Sequence, residues 1–594
     1  MPILKGKLRR FNWLNSPVLL AVIIGLGGGL FAYVFRQMIA LAQSLFFGQG
    51  ERLAVWLGSA WVIIVPALGG LIVGPLVYFF AREAKGHGVP EVMESVAFKG
   101  GRIRMRVILI KAIASATCIG SGGSVGREGP IIQMGSAIGS AVGQLLKVSE
   151  RMLKTMVGCG AAAGIAATFN TPMAGVIFAQ EVILGEFTAS NFGLLVLSSV
   201  TASIVSRSLL GDYPAFIVPA YQLHHPVEMI FYIILGLVAG VVGVAFTKLL
   251  YAAEDFFDGL QKLPPYFKPV LGGVAIGLIG WRLPQVFGVG YETVDLALTG
   301  KLTLGLLVVL LVAKLVATSL TLGSGGSGGI FAPSLFMGSM LGGTVGTLVH
   351  SLYPTFTAAS GAYALVGMGA MVAASTQAPI QAILIVFEMT RDYRIILPLM
   401  TACVVSAILA RRLSKESIYT MKLARRGVFL RGGRDLNVLK GITVAEAMSA
   451  EVVSVRSTDT LGDVVAKMQQ YRFNGFPVLD PEGRLQGIIT LADVRNTCPE
   501  NPQERLRVPV AKVMHKRPYT ISPEASLEDA FQQFALRQVE KLLVVDDKTG
   551  NLVGILTMSD VVSAYNRKLL QRESTLPRAA TKEIVFNYGN MVPK

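Results

Sequence analysis

A glycine-rich string occurs twice in this chain, and the second copy follows the first by 203 residues. GSGGSVGREGP (Gly120–Pro130) and GSGGSGGIFAP (Gly323–Pro333) share seven of eleven residues, and the match continues into Met134-Gly135-Ser136 and Met337-Gly338-Ser339 at the same offset. A second pair follows. Pro172 precedes Glu181 by nine in TPMAGVIFAQE, and Pro379 precedes Glu388 by nine in APIQAILIVFE. Glycine-rich low complexity would not continue in register beyond the glycines. Residues 17–210 and 226–410 therefore read as two related halves.

Both halves are apolar. Hydrophobic residues make up 52% of the 594 and charged residues 15%, against about 25% charged in a soluble chain. Disordered, collagen-like and small secreted classes are excluded. Apolar segments such as Pro17–Tyr33, Ala54–Phe80, Val107–Ile119, Met229–Phe246, Leu302–Leu322 and Ile395–Ala410 recur to about residue 410. Several fall short of the roughly 20 residues needed to cross a bilayer, and many are broken by Gly or Pro. Broken helices are tolerated at membrane depth where protein or a water-filled cavity surrounds them. A transport core is expected, not a simple anchor.

Four cations (Lys5, Lys7, Arg9, Arg10) precede the first span, and no cleavage pattern follows it. They predict a cytoplasmic N-terminus and a retained helix. Gly211–Met229 holds no Lys or Arg and predicts an external loop. Arg411, Arg412 and Lys415, then Lys422, Arg425 and Arg426, return the chain to the cytoplasm. The halves then have opposite orientation, which is an inverted repeat with its substrate site near mid-membrane. The net charge of +17 falls largely in membrane-flanking loops. There it sets orientation and meets anionic lipid, and it requires no nucleic acid.

The composition changes after Arg426, and 430–594 is charge-dense. This tail repeats too: Met448, Thr490 and Asp493 match Met514, Thr557 and Asp560. Each unit reads as strand, helix, strand, strand, helix. Cys118, Cys159, Cys403 and Cys498 lack disulfide or metal spacing. No nucleophile–base pair points to an enzyme.

Three glycine-rich breaks share one logic: Gly86-His87-Gly88-Val89-Pro90, Gly126-Arg127-Glu128-Gly129-Pro130 and Gly329-Ile330-Phe331-Ala332-Pro333. Each stands before an apolar helical run. Proline suits the first helical turn. Free N–H groups and the positive dipole end then favour an anion in front of each helix. A cation site would want more membrane carboxylates than this chain has. Gly120–Pro130 lacks the Gly-Lys-Ser/Thr ending of a nucleotide phosphate loop. Glu128 is an ionisable group within the membrane, and such a group is a functional candidate by default. It would compete with an anion until protonated, so it reads as a proton-sensitive gate.

On GREGP, FNTPMAGVIFAQE, GIFAP and APIQAILIVFEMT, in that order along the chain, it resembles the CLC chloride channels and transporters that carry a cytoplasmic pair of CBS domains. The resemblance implies a mostly α polytopic membrane fold, an inverted repeat with many broken helices, plus an α/β CBS pair. It implies a homodimer in the inner (plasma) membrane with both termini cytoplasmic. The expected boundaries are a cytoplasmic N-terminus 1–16, a membrane domain 17–420, a linker 421–440, CBS units 441–497 and 508–568, and a tail 569–594. It makes Glu128 the gate. His87, Gly88, Gly126, Arg127, Gly129, Gly329, Ile330, Phe331, Ala332 and Tyr419 become the anion-binding positions.

Two departures bear on function. His87 stands where the family usually has serine, so an imidazole N–H would replace a hydroxyl, and it could also take a proton. Val182 stands where proton-coupled members generally carry an inner glutamate, directly after Glu181. Valine cannot relay protons, so the sequence favours a gated passive chloride channel. The alternative is a chloride/proton antiporter using Glu128 and a non-standard inner proton route. A membrane-tethered adenylate sensor and a divalent-cation channel are weaker readings. No cofactor is required. Adenine nucleotide (ATP, ADP or AMP) at the CBS pair is an expectation from the resemblance, on Thr490, Asp493, Thr557 and Asp560. The substrate would be chloride or another small monovalent anion.

Overall fold

The computed structural model describes residues 16–574, except 49–60, 427–438, 440–441, 497–505 and the positions 213, 214, 217, 220, 222, 224, 472, 483, 517, 538, 540 and 548. Lys5, Lys7, Arg9 and Arg10, most of the linker, Cys498 and most of the tail lie outside the described residues. The chain divides into two compact units, 1–430 and 431–594.

The first unit is helical, and its elements come in two matching series. The first runs α1 (Pro17–Gln43), α2 (Trp61–Pro75), α3 (Val89–Phe98), α4 (Arg106–Gly120), α5 (Glu128–Leu145), α6 (Glu150–Phe169), α7 (Pro172–Phe178) and α8 (Ala189–Leu210). The second runs α9 (Met229–Gly259), α10 (Lys268–Arg282), α11 (Tyr291–Leu298), α12 (Leu304–Gly323), α13 (Phe331–Leu352), α14 (Ser360–Thr376), α15 (Pro379–Thr390) and α16 (Ile396–Leu413), followed by α17 (Thr420–Arg425). Packing follows the same pairing. Helix α1 lies on α8 as α9 lies on α16, and α5 crosses α6 as α13 crosses α14. Between the halves, α2 packs on α10 and α7 on α15. Among the described residues, eight helices are long and apolar enough to span a bilayer, and the α7 and α15 segments are shorter apolar helices.

The crossing of α5 and α6 is set by glycine. A Cβ on Gly135 would stand 2.2 Å from the Gly160 carbonyl oxygen, and one on Gly160 would stand 2.0 Å from that of Gly135. Gly338 and Gly367 repeat this on α13 and α14, at 2.3 Å each way. Backbone lies on backbone, and no side chain fits between.

The two Pro-to-Glu motifs prove to be reciprocal caps. Glu388 accepts from the N–H of Met173 (3.0 Å) and Ala174 (2.7 Å) at the start of α7. Glu181 accepts from the N–H of Ile380 (3.4 Å) and Gln381 (2.8 Å) at the start of α15. Each half thus satisfies orphan donors of the other. Glu388→Ala is expected to strip two donors of their acceptor, at about 1–3 kcal/mol each. A lowered thermal unfolding midpoint of the detergent-solubilised protein checks this.

One segment runs further than its apolar pattern. The helix expected over Met229–Phe246 continues to Gly259. Its polar last turns are held by ion pairs, Asp255 with Arg425, and Glu254 and Asp258 with Lys85 at 3.7 and 3.6 Å.

The second unit contains two copies of one small sheet. Strands β1 (Val455–Arg456), β2 (Gly475–Leu479) and β3 (Leu485–Thr490) form one, and β4 (Thr520–Ile521), β5 (Lys541–Val545) and β6 (Leu552–Thr557) the other. In each, the first pair is parallel and the second antiparallel. The copies are tied together through Ile488 with His515 and through Ser449 with Ile555, each pair exchanging two backbone hydrogen bonds.

Candidate functional site

The three glycine-rich breaks converge. Gly126 and Gly329 exchange two backbone hydrogen bonds, 2.7 and 2.6 Å, and so join the loops that lead into α5 and α13. Gly86 donates to the Gly326 carbonyl at 3.0 Å and accepts from the Gly328 N–H at 3.3 Å, which ties in the loop before α3. Gly88 caps α3 at φ 81°, a conformation that glycine adopts without steric cost. Gly129 sits so close to this loop that a Cβ there would be 2.3 Å from the His87 carbonyl oxygen.

Glu128 is the first residue of α5, and it is 1% exposed. Its Oε2 accepts from the Ala332 N–H at 3.3 Å, and its Oε1 accepts from the Tyr291 hydroxyl at 2.7 Å. The gate candidate therefore occupies the mouth of α13. There the N–H groups of Phe331 and Ala332 belong to the first turn and have no intrahelical acceptor. Ile330 is the residue before the helix, and Phe331 packs on Phe169 with ring centroids 5.6 Å apart. Arg127, beside the gate, places its guanidinium 5.5 Å from the centre of the Tyr291 ring.

His87 and Tyr419 lie together, both buried, with ring centroids 5.7 Å apart. The His87 Nε2 is 3.5 Å from the Tyr251 hydroxyl, which itself donates to the Ile418 carbonyl at 2.7 Å. The His87 Nδ1 is buried and has no hydrogen-bond partner among the described residues. A buried polar atom in that state is costly unless something else satisfies it. Val182 is buried in the wide turn that follows α7, directly after the capping Glu181, and that turn packs against α3.

Sequence reading passed over three participants. Tyr291 is one. The others are Lys111 and Lys314, both buried in apolar helices. Lys111 donates to the carbonyls of Ala84 (2.9 Å) and Gly86 (2.7 Å), and Lys314 to those of Val286 (3.0 Å) and Gly288 (2.8 Å). Each braces the loop before a helix start. Their separation is again 203 (314 − 111), so the signal was present in the repeat.

In the second unit, Thr490 and Asp493 sit at one helix start, α18 (Leu491–Asn496), and Thr557 and Asp560 at another, α19 (Met558–Ser574). Each aspartate Oδ2 accepts from its threonine's N–H and hydroxyl, at 2.8 and 2.6 Å in the first pair and 2.9 and 2.6 Å in the second. Asp493 Oδ1 also lies 3.0 Å from His515 Nε2. Half of each carboxylate is thus committed to capping. A cavity of about 810 Å³ opens beside the first pair, lined by Thr490, His515, Lys516, Tyr519 and Lys541 among others.

A family model described as voltage gated chloride channel matches residues 69–411, more than half of the chain. The chain belongs to the CLC family. A CBS-domain model matches residues 444–500 and 510–567, so this CLC protein carries a C-terminal CBS pair. It is 35% identical to a putative chloride channel protein ClcB-like of Ralstonia nicotianae over 413 residues, 68% of this chain and 96% of that one. It is 34% identical to the H(+)/Cl(-) exchange transporter ClcA of Vibrio parahaemolyticus over 422 residues, 69% of this chain and 90% of that one. The solved structure of a slow cyanobacterial Cl-/H+ antiporter aligns with TM-score 0.65 at 29% identity, covering 69% of this chain and 97% of that one. A eukaryotic CLC transporter aligns over 92% of this chain and 97% of its own, TM-score 0.65, and at 20% identity shares the fold. CLC proteins move anions through a helical membrane domain, and this chain has that domain.

Proposed function

We propose that this CLC protein exchanges chloride for protons, with Glu128 as the gate that carries both roles. The observation that carries the reading is the seat of the Glu128 carboxylate on the Ala332 N–H, where the converging helix starts favour an anion. A carboxylate in that seat excludes chloride, and protonation releases it. Each departure then carries a proton, and each return displaces an anion. The relatives named as exchange transporters support this over passive conduction. Val182 supports the second reading, a passive channel. Under exchange, protons reach Glu128 from inside by a route that avoids Val182.

Chloride would lie against the N–H groups of Ile330 and Phe331, the Tyr419 hydroxyl and the His87 imidazole. Gly88, Gly126, Gly129 and Gly329 allow the close backbone approach, and Arg127 supplies positive charge. In the Nδ1–H tautomer, His87 would donate to the anion from a nitrogen that has no hydrogen-bond partner among the described residues. The domain boundaries, the homodimer, the inner-membrane setting and the cytoplasmic termini follow from the family resemblance. In proteoliposomes, downhill chloride efflux is to drive uphill proton uptake. Chloride flux without proton movement returns the reading to a channel.

The CBS cavity is read as an adenine-nucleotide site. The Thr490 hydroxyl, which lines the cavity, suits ribose, Asp493 would serve ribose if its Oδ1 exchanged His515 for the ligand, and Lys516 and Lys541 suit phosphate. Thr557 and Asp560 would serve a second site. Nucleotide then biases the pore if its affinity differs between pore states. Lys516→Glu is expected to weaken ATP binding about tenfold or more, as read by calorimetric titration of the purified full-length protein. An unchanged affinity speaks against the cavity as the site.

A further inference from the structure

Glu128 is gripped from two sides, and the second grip has no counterpart in the sequence reading. While Ala332 N–H holds Oε2, the Tyr291 hydroxyl donates to Oε1 at 2.7 Å, from 163 residues along the chain. Tyr291 is itself held rigidly. Phe216 packs edge-on against its ring, centroids 5.3 Å apart at 81°, and the Arg127 guanidinium stands over the ring. Its backbone is braced as well. Tyr291 opens α11, and the turn before it carries the two carbonyls, Val286 and Gly288, that buried Lys314 binds. Beyond Tyr291 lies a cavity of about 410 Å³, lined by Arg36, Arg127, Tyr291 and Glu292 among others.

We propose that Tyr291 is a positioning residue that latches the Glu128 carboxylate in the anion seat, so that opening the gate breaks the Tyr291–Glu128 hydrogen bond. This rests on the reading of Glu128 as the gate. A phenol O–H donates more strongly to a carboxylate than to a carboxylic acid. The latch therefore holds the charged gate and lets the protonated one go. The other titratable and charged groups facing Glu128 are Arg127, the residue before it, and the Tyr419 hydroxyl. Arg36 and Glu292 line the adjoining cavity with Arg127 and Tyr291, and Lys314 braces the loop beneath. All of these remain in Tyr291→Phe, which keeps the ring and removes the donor.

The test is chloride flux into proteoliposomes as a function of pH. Tyr291→Phe is expected to raise flux several-fold at neutral pH and move the flux–pH midpoint upward by about one unit, as befits loss of one hydrogen bond to a charged group. A fluorotyrosine at 291, with a more acidic phenol, moves the midpoint the opposite way and serves if the Phe variant folds poorly. On a Glu128→Gln background, Tyr291→Phe is to change nothing further. If Glu128→Gln flattens the curve and neither change at 291 moves the midpoint, the latch is wrong. If Tyr291→Phe has the same effect on the Glu128→Gln background, the residue acts elsewhere and the latch is again wrong. If Glu128→Gln itself leaves the pH dependence intact, the gate reading is what fails.

Discussion

Glu128→Gln is expected to abolish proton coupling and flatten the pH dependence of chloride flux. In the wild-type protein the ionised carboxylate takes two charge-assisted hydrogen bonds, from Ala332 and Tyr291. Each is worth about 1.5–3 kcal/mol, which is roughly tenfold or more in the balance between seated and released gate. An uncharged amide keeps neither that hold nor the proton. Chloride flux at alkaline pH should therefore rise toward the acid level, while proton movement falls below detection. Paired chloride and proton electrodes on the same vesicles check both halves. Residual proton transport in Glu128→Gln would place the carrier elsewhere.

The second large effect concerns the scaffold. Gly160→Val is expected to prevent accumulation of folded protein. A Cβ at Gly160 would stand 2.0 Å from the Gly135 carbonyl oxygen, and backbone cannot turn aside as a side chain can. Overpacking ordinarily costs about 1–3 kcal/mol. Here α5 and α6 must separate, and the start of α5 carries Glu128. The cost then competes with the whole of a stability of about 5–15 kcal/mol. Gly193→Ala is the control, because a Cβ there meets nothing within 4 Å. It should be neutral or stabilising, since alanine is favoured over glycine within a helix by about 1 kcal/mol. Size-exclusion profiles and thermal midpoints of the two variants decide the matter.

The parts of this molecule that were legible in its sequence are those written locally. The offset of 203 announced the two halves, and the Gly-x-x-x-Pro breaks announced the helix starts. Glu128 stood out as a carboxylate in an apolar setting, and the repeated Thr-x-x-Asp announced the paired CBS units. What stayed hidden is long-range partnership. The matching Pro-to-Glu spacings were visible, but not that each glutamate caps the helix of the opposite half. Tyr291 gave no signal, because a lone tyrosine at the start of a short helix has many ordinary uses and its partner is 163 residues away. Lys111 and Lys314 were visible in principle. A lysine recurring at the repeat offset inside two apolar helices must bury its charge on something, and carbonyls of the adjacent loops are what it finds. Helix α9 outran its apolar pattern because ion pairs, which belong to the tertiary fold, hold its last turns.

The central claim is that anion and proton movements share Glu128. The most direct measurement is the reversal potential of the purified protein in planar bilayers or proteoliposomes, first under a chloride gradient alone and then with an opposing pH gradient. Exchange predicts that the reversal potential departs from the chloride equilibrium value and shifts in proportion to the pH gradient. A potential that stays at the chloride equilibrium value, whatever the pH gradient, would contradict the account and leave a passive channel, as Val182 favours.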